Sequence, residues 1–540
     1  MDTIGDLYEA YVQNNAVFPD STYFYGNIAK TYNDAVDLVS KLPKIEINSD
    51  RIEKLKVILR NYHKKLGLLT PKVDENIDKI NEGVVIAGQQ ATIFGGSGII
   101  GNKIVASVKI SEIAKEKGKT LVPVFLINTH DGIQPEITTI HLLNNQSSNS
   151  KSIHFSNLTE GIAAHKITIN NHKWLNENLT VIKNIFSEFK SSLDKTEFKL
   201  FMERVEHILT YLRETYRAAS TFGEWMTLIW GIQANIYNDY GVVFCPSSPP
   251  EIRKLASDGY LPFLENRKVY IDEFNKATEK IKEMGFRPTT SAKKDDYSPF
   301  FYECPKDGYR ITLSSTEQND EILFHGKCPL DKSEYSFSLN KSKIDLSPFE
   351  GNLSPRLDSN HSQLQTLLPV YIRVSGPGEI NYNAQVAPAL RKIGVQIPLY
   401  VKYTRIHYNT PWIEKLSNDP ALEAHSLFSS EFFKALGALA KARRKGQKEE
   451  MHNASKLLTE KIISKISQLK SISKEPTNPI SKYKSWQFGM YDEYHQWQEV
   501  SWPWFVMSSI SGIEDYLASY YRYYSKEALV GGIGYINTRL

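Results

Sequence analysis

Apolar positions along this chain recur with two periods, and the points where one gives way to the other mark its organisation. Over residues 51–66, Ile52, Leu55, Ile58, Leu59 and Tyr62 fall on one side of a helix, with lysines and arginines between them. Residues 1–80 read as helical. From residue 83 the texture changes to a continuous apolar run, Gly83-Val84-Val85-Ile86-Ala87, which predicts a strand. A glycine-rich turn follows, Gly88-Gln89-Gln90-Ala91-Thr92-Ile93-Phe94-Gly95-Gly96-Ser97-Gly98. Ile100, Ile104 and Val108 then form an i, i+4 ridge, and Lys115 and Lys117 sit in the last turn before Gly118, a helix with a marked stop. The apolar run at residues 121–127 has the texture of a strand buried on both faces. This is one strand–helix–strand unit.

A second unit repeats that layout. Residues 367–374 read as a strand, Gly376-Pro377-Gly378 as the turn, residues 379–393 as a helix closed by Gly394, and residues 397–401 as the next strand. Pro388 is expected to kink that helix or start a new turn. Two such units imply one parallel sheet interrupted by inserted material, with residues 241–244 as a further strand. Residues 172–240 are helix-rich, whereas residues 284–350 alternate and are dense in turn residues, as in Tyr309-Arg310-Ile311-Thr312-Leu313. Beyond residue 420, Met451, Ala454, Leu458, Ile462, Ile466 and Leu469 form one helical seam, and Phe432, Leu436 and Leu439 another. These read either as a hairpin or coiled-coil arm or as two helices packed on the body. The aromatic stretch at residues 486–524 reads as core and interface.

The expected division is therefore a helical segment (1–80), the first half of the sheet core (81–170), a helical insertion (171–240), a core strand and helix (241–283) and a β-rich insertion (284–352). The second half of the core (353–418), a helical arm (419–476) and an aromatic-rich helical segment (477–540) complete it. At 540 residues, with 41% hydrophobic and 23% charged positions, the composition is that of an ordinary globular protein. A net charge of +4 makes no case for nucleic acid. The start of the chain lacks the basic and apolar regions of a signal peptide, and no apolar stretch is long enough to span a bilayer. Cys245, Cys304 and Cys328 are scattered, with no CxxC pair, which reads as reduced buried thiols. The expectation is a soluble cytoplasmic protein without a metal.

A strand that empties through a glycine turn into a helix is suited to an anion. Gly96-Ser97-Gly98-Ile99-Ile100-Gly101 matches G-x-G-x-x-G, but eight residues separate it from Ala87, and the next strand ends at Asn128-Thr129 instead of an acidic residue. Gly101-Asn102-Lys103 also fails the Walker pattern. No HExxH or GxSxG occurs. His130 and Asp131 stand at the end of the second strand, where His130 either caps a turn or serves as a general base or donor to an anionic intermediate. Glu379 opens the second helix and suits its dipole, with Tyr382 and Gln385 on the same face as a polar wall.

These units resemble the family of the bacillithiol-biosynthesis cysteine-adding enzyme, a cysteine ligase. Gly88-Gln89-Gln90-Ala91 through Phe94 to Lys103 is similar to its first signature. Leu353-Ser354-Pro355, Leu368-Pro369, and Gly376-Pro377-Gly378-Glu379-Ile380 with Tyr382, Ala384 and Gln385 are similar to its second, and His130-Asp131 to its third. Order and spacing agree to about residue 405. The resemblance implies an α/β fold: a Rossmann-like parallel sheet core with two inserted connecting-peptide regions and a C-terminal helical coiled-coil arm that makes a homodimer. It implies addition of L-cysteine, or a related amine, to a carboxylate-bearing sugar conjugate such as glucosaminyl-malate. Amide formation in water needs an activated carboxyl, so ATP (leaving ADP) is the expected co-substrate. His130, Asp131 and Lys103 would be catalytic, with His130 taking the proton of the cysteine amine. Gly88, Gln89, Gln90, Gly96, Ser97, Gly376, Gly378, Glu379, Tyr382 and Gln385 would bind substrate or nucleotide.

Departures from the family pattern lie close to those residues. Asn128 and Thr129 replace an acidic pair, Gly96-Ser97 replaces a Gly-Pro, and Asn360-His361 replaces an Arg-Pro, removing a bidentate anion clamp. Two other readings stay open on the sequence: a nucleotide-binding family member with a different substrate, and a non-catalytic assembly protein that keeps the fold.

Overall fold

The computed structural model describes residues 21–142, 151–155, 158–191, 193–409, 446–472, 498–524 and 530–537, with isolated positions elsewhere. Five parallel strands form its centre: β1 (Val84–Gln90), β2 (Val122–Asn128), β3 (Val243–Pro246), β4 (Val370–Ser375) and β5 (Leu399–Lys402). Across the sheet they run 3-2-1-4-5. This is the doubly wound order, in which the connections leave β1 and β4 in opposite directions and open a crevice at the carboxyl ends of that pair.

Alternation along the strands separates two cores. Val84, Ile86, Val124 and Leu126 pack with residues of the helices Ser49–Lys65, Pro71–Lys79 and Ser359–Leu367. Val85, Ala87, Phe125 and Ile127 join the larger core with helix α1 (Ile99–Glu116). Covering both faces is what makes the strands read as unbroken apolar runs.

Several boundaries differ from the sequence expectation. β1 continues through Gln90, so Gly88, Gln89 and Gln90 are strand residues opposite Leu126, Ile127 and Asn128, and the turn begins only at Ala91. Gly88 permits that close pairing, since a Cβ there would lie 3.1 Å from the Leu126 Cβ. Leu367 ends a helix, Ser359–Leu367, and β4 starts three residues later, after Pro369. Helix α2 (Pro377–Lys392) runs unbroken through Pro388, which is buried. Packing of α2 along the helix Arg267–Glu283 outweighs the hydrogen bond lost there.

Between β2 and β3 lie the helices His172–Ser187, Lys195–Ala218 and Phe222–Gly231. Between β3 and β4 lie two antiparallel three-stranded sheets. One holds Phe300–Glu303, Arg310–Thr312 and Leu353–Pro355, and the other Ser314–Gln318, Glu321–Lys327 and Glu334–Asn340. They share a core of their own, including Phe300, Ile311, Phe324 and Leu339. Toward the C-terminus, Arg405–Asn409 pairs in parallel with Ile533–Asn537, and the helices Trp504–Ser511 and Ile513–Tyr523 cover α1 and Lys195–Ala218. Met451, Ala454 and Leu458 are half-buried positions of the helix Lys448–Ile472. Phe432, Leu436 and Trp486 lie outside the described residues. No described helix is long and apolar enough to cross a membrane.

Candidate functional site

The first glycine turn is closed by protein. The Gly95 and Gly96 amides donate to the carbonyls of Thr92 and Ile93, and the Gly98 amide donates to Trp502 O at 3.2 Å. Two indoles complete the seal: Trp504 Nε1 donates to Phe94 O at 2.7 Å, and Trp230 Nε1 to Gly95 O at 2.9 Å. A Cβ on Gly98 would lie 2.5 Å from Met507 Cε, and one on Gly101 2.9 Å from Leu517. Phe94, with φ +54°, adopts the left-handed backbone that a non-glycine residue rarely takes, and its ring is fixed by Trp174, Trp225 and Phe505. Gly96 and half-buried Ser97 belong to this packed turn and do not line the cleft described below.

Lys103, on the second turn of α1, crosses to the switch point. Its buried ammonium donates to Gly88 O (3.0 Å), Gln89 Oε1 (3.1 Å) and Glu379 Oε2 (3.0 Å), which occupies all three of its protons. Glu379 also takes the Gly376 amide at 3.3 Å, and Arg373 Nη2 lies 3.2 Å from its Oε1. Burial opposes charge on Glu379, but Lys103 and Arg373 outweigh it and hold its carboxyl down at about 2. The three residues clasp the starts of α1 and α2 together. Gly378 stands in the open, with nothing within 4 Å of where a Cβ would be.

His130 is buried behind Asp131, and burial pushes its pKa down to about 4, with Asp131 opposing. The hydroxyl of Ser247 accepts the amides of Thr129 (2.9 Å) and His130 (3.3 Å) and lies 2.7 Å from His130 Nδ1. With both lone pairs filled, its proton goes to Nδ1, so the imidazole is neutral with hydrogen on Nε2, 3.6 Å from Asp131 Oδ1. In this state Nε2 carries the hydrogen available to a ligand, and Nδ1 can accept a further proton only if the Ser247 hydroxyl turns away.

Above the carboxyl edge a cleft of about 950 Å³ opens between the sheet core and the β-rich insertion. Of the residues expected at a site, Gln90, Asp131 and Tyr382 line it. Gln385 stands behind its wall: Oε1 accepts the amides of Thr289 and Thr290, and Nε2 donates to Thr278 Oγ1 and Thr290 O. Asp131 apart, the cleft's charged groups lie outside the residues expected at the site. Arg310 stacks 4.3 Å from the Phe301 ring centroid, donates to Ser354 Oγ and Pro355 O, and lies 3.6 Å from Asp131. Arg356 packs over Phe301 and Tyr297 and makes no ion pair among the described residues. Asp358 is fully buried; burial alone would raise its pKa, yet Lys293 at 2.9 Å and the hydroxyls of Tyr297 and Tyr270 hold it at about 2. The signal for Arg356 and Asp358 was adjacency, since they directly follow Leu353-Ser354-Pro355. In the sequence Ser247 belongs to the turn Cys245-Pro246-Ser247-Ser248-Pro249-Pro250 and Arg310 to an alternating strand pattern, and neither pattern marks a site.

Asn360 and His361 are buried in the helix that Asp358 caps, and burial with nearby Arg373 pushes the imidazole down to about 3. At the strand ends, Asn128 Oδ1, Ser248 Oγ and Ser375 Oγ are buried without a hydrogen-bond partner.

A 3-2-1-4-5 parallel sheet with a polar cleft over its switch point defines a Rossmann-like α/β protein. The family model for "Bacillithiol biosynthesis BshC, N-terminal Rossmann-like domain" matches residues 4–402, and the chain belongs to the BshC family. Among curated relatives, the protein named "Putative cysteine ligase BshC" of Staphylococcus epidermidis is 24% identical over 391 residues, covering 71% of this chain and 66% of its own length. That of Bacillus licheniformis is 24% identical over 377 residues, covering 68% and 63%. The chain thus spans just under two thirds of the length of the relatives it matches.

Proposed function

We propose that this chain is a cytoplasmic ligase-like enzyme that adds L-cysteine, or a related amine, to a carboxylate-bearing sugar conjugate such as glucosaminyl-malate. The reading rests on family membership, and the observation that carries it is Arg356, a guanidinium held on two aromatic rings in the cleft without a carboxylate partner among the described residues. Arg356 and Arg310 would take the malate carboxylates, replacing the clamp lost at Asn360-His361. The cleft's lining carries Lys293, Lys294, Arg310, Lys327 and Arg356 against Asp131, Asp296 and Asp358, which favours a polyanionic substrate. Lys103, with its protons all engaged, would hold the crevice in shape. His130 would donate from Nε2 toward charge developing beside Asp131. ATP would activate the carboxyl, and the helical arm would make a homodimer.

Incubating the chain with L-cysteine, glucosaminyl-malate and ATP should yield a product of the summed mass less one water. No product with any nucleotide would overturn the proposal. Arg356→Lys should raise KM for glucosaminyl-malate by roughly tenfold to a hundredfold while leaving the unfolding midpoint unchanged.

A further inference from the structure

We propose that Cys304, Asp307, Cys328 and Asp331 form a closed four-ligand site for one zinc-type divalent cation, joining the two sheets of the β-rich insertion. The two cysteines, unpaired in the sequence, are brought together by the fold. The two thiols and two carboxylates converge with all four potential ligand atoms within 4.8 Å of one another, and both cysteines are buried. A tetrahedral zinc with sulfur at about 2.3 Å and oxygen at about 2.0–2.2 Å needs ligand separations of roughly 3.3–3.8 Å, a small contraction from this arrangement.

The second observation is that the ligands come in twin turns. Cys304-Pro305-Lys306-Asp307-Gly308 and Cys328-Pro329-Leu330-Asp331-Lys332 share the pattern C-P-x-D. In each, the fifth residue donates its amide to the cysteine carbonyl (2.8 and 3.1 Å). In each, the cysteine amide donates to the carbonyl of the residue after that (2.8 and 2.9 Å). In each, the aspartate Oδ1 accepts an amide two residues on, at 2.9 Å. The fifth residue is left-handed in both, Gly308 at φ +76° and Lys332 at φ +64°. For a lysine that conformation costs about 1–2 kcal/mol, and in both turns it brings the chain back to its cysteine. Two turns with the same sequence pattern and hydrogen bonds, from different sheets, each present a thiol and a carboxylate to one point.

Cys304 follows strand Phe300–Glu303 in one sheet, and Cys328 follows strand Glu321–Lys327 in the other. Thiolate with carboxylate suits a borderline-soft ion, and four protein ligands leave no open position, so the metal would be structural. Binding releases the two thiol protons. Two thiolates, two carboxylates and a divalent cation leave a charge of −2, and Lys306 Nζ, 3.2 Å from Asp331 Oδ2, stands beside it. Arg310 lies two residues beyond Gly308, so the bolt would also set the wall that carries this guanidinium.

The test takes the full chain purified under reducing conditions. One zinc per chain is expected, resisting a mild chelator. Exchange with Co²⁺ should give thiolate charge-transfer absorption and the intense visible bands of a tetrahedral ion. Asp331→Asn, which keeps the side-chain shape, should lose the metal to that chelator, and Cys245→Ser, in β3, should keep it. Substoichiometric zinc with only the octahedral cobalt spectrum would overturn the proposal. A Cys304–Cys328 disulfide that, once reduced, still takes up no metal would overturn it as well.

Discussion

The turns at Gly95–Gly96 and Gly376–Gly378 look alike in sequence, each lying between a strand and a helix of one sheet, yet they occupy opposite physical situations. The first is filled: its amides are bonded, two tryptophans cap its carbonyls, and its glycines exist because neighbours crowd them. The second is open at Gly378, and its helix end is already answered by Glu379 with Lys103 behind it. Adjacent residues of α1 serve the two sides. Asn102 donates to Glu499 from the C-terminal segment, and Lys103 donates to Glu379. Glycine near a strand end is thus as well explained by close packing as by a ligand, and only what fills the space decides.

The largest effect expected from breaking this contrast is Trp504→Ala. It removes a fully buried indole and orphans Phe94 O, and should cost roughly 3–5 kcal/mol by denaturant unfolding. Glu379→Gln leaves the Lys103 ammonium buried without its carboxylate and should cost about 3 kcal/mol at neutral pH. Gly95→Ala forces a side chain onto φ +78° and within 2.8 Å of Ile229 Cγ2, for about 1–3 kcal/mol, whereas Gly378→Ala should stay within roughly 0.5 kcal/mol. Equal losses at the two glycines would erase the distinction.

The two glutamates also predict opposite pH responses. Glu379 is held at about 2, below its ordinary value, so its contribution is complete above the unfolded pKa and lost as pH falls through about 2. Burial raises Glu499 to about 8, so its contribution is complete below the unfolded pKa and lost as pH rises toward 8. Unfolding midpoints across pH should show Glu499→Gln flattening the decline on the neutral side and Glu379→Gln flattening it on the acid side.

Much of the core was legible. The apolar runs at residues 83–87 and 121–127 became β1 and β2 because a strand covered on both faces admits little else. The resemblance placed the chain in its family, and His130, Asp131 and Tyr382 do gather at the carboxyl edge. Less legible were the partners those residues meet. Arg310 reads as one polar position in an alternating strand until Phe301 and Asp131 are beside it. Ser247 meets His130 Nδ1 at 2.7 Å from 117 residues away.

By itself the sequence determined the main strands and helices of the sheet core and which family they belong to, because periodicity and spacing are local and repeated. Only the tertiary structure decided that one glycine turn is sealed and the other open, that Lys103 is clasped by Glu379, and that Cys304 and Cys328 meet. Those are contacts between segments far apart in the chain, whose pairing depends on which surfaces are left uncovered once the sheet has formed.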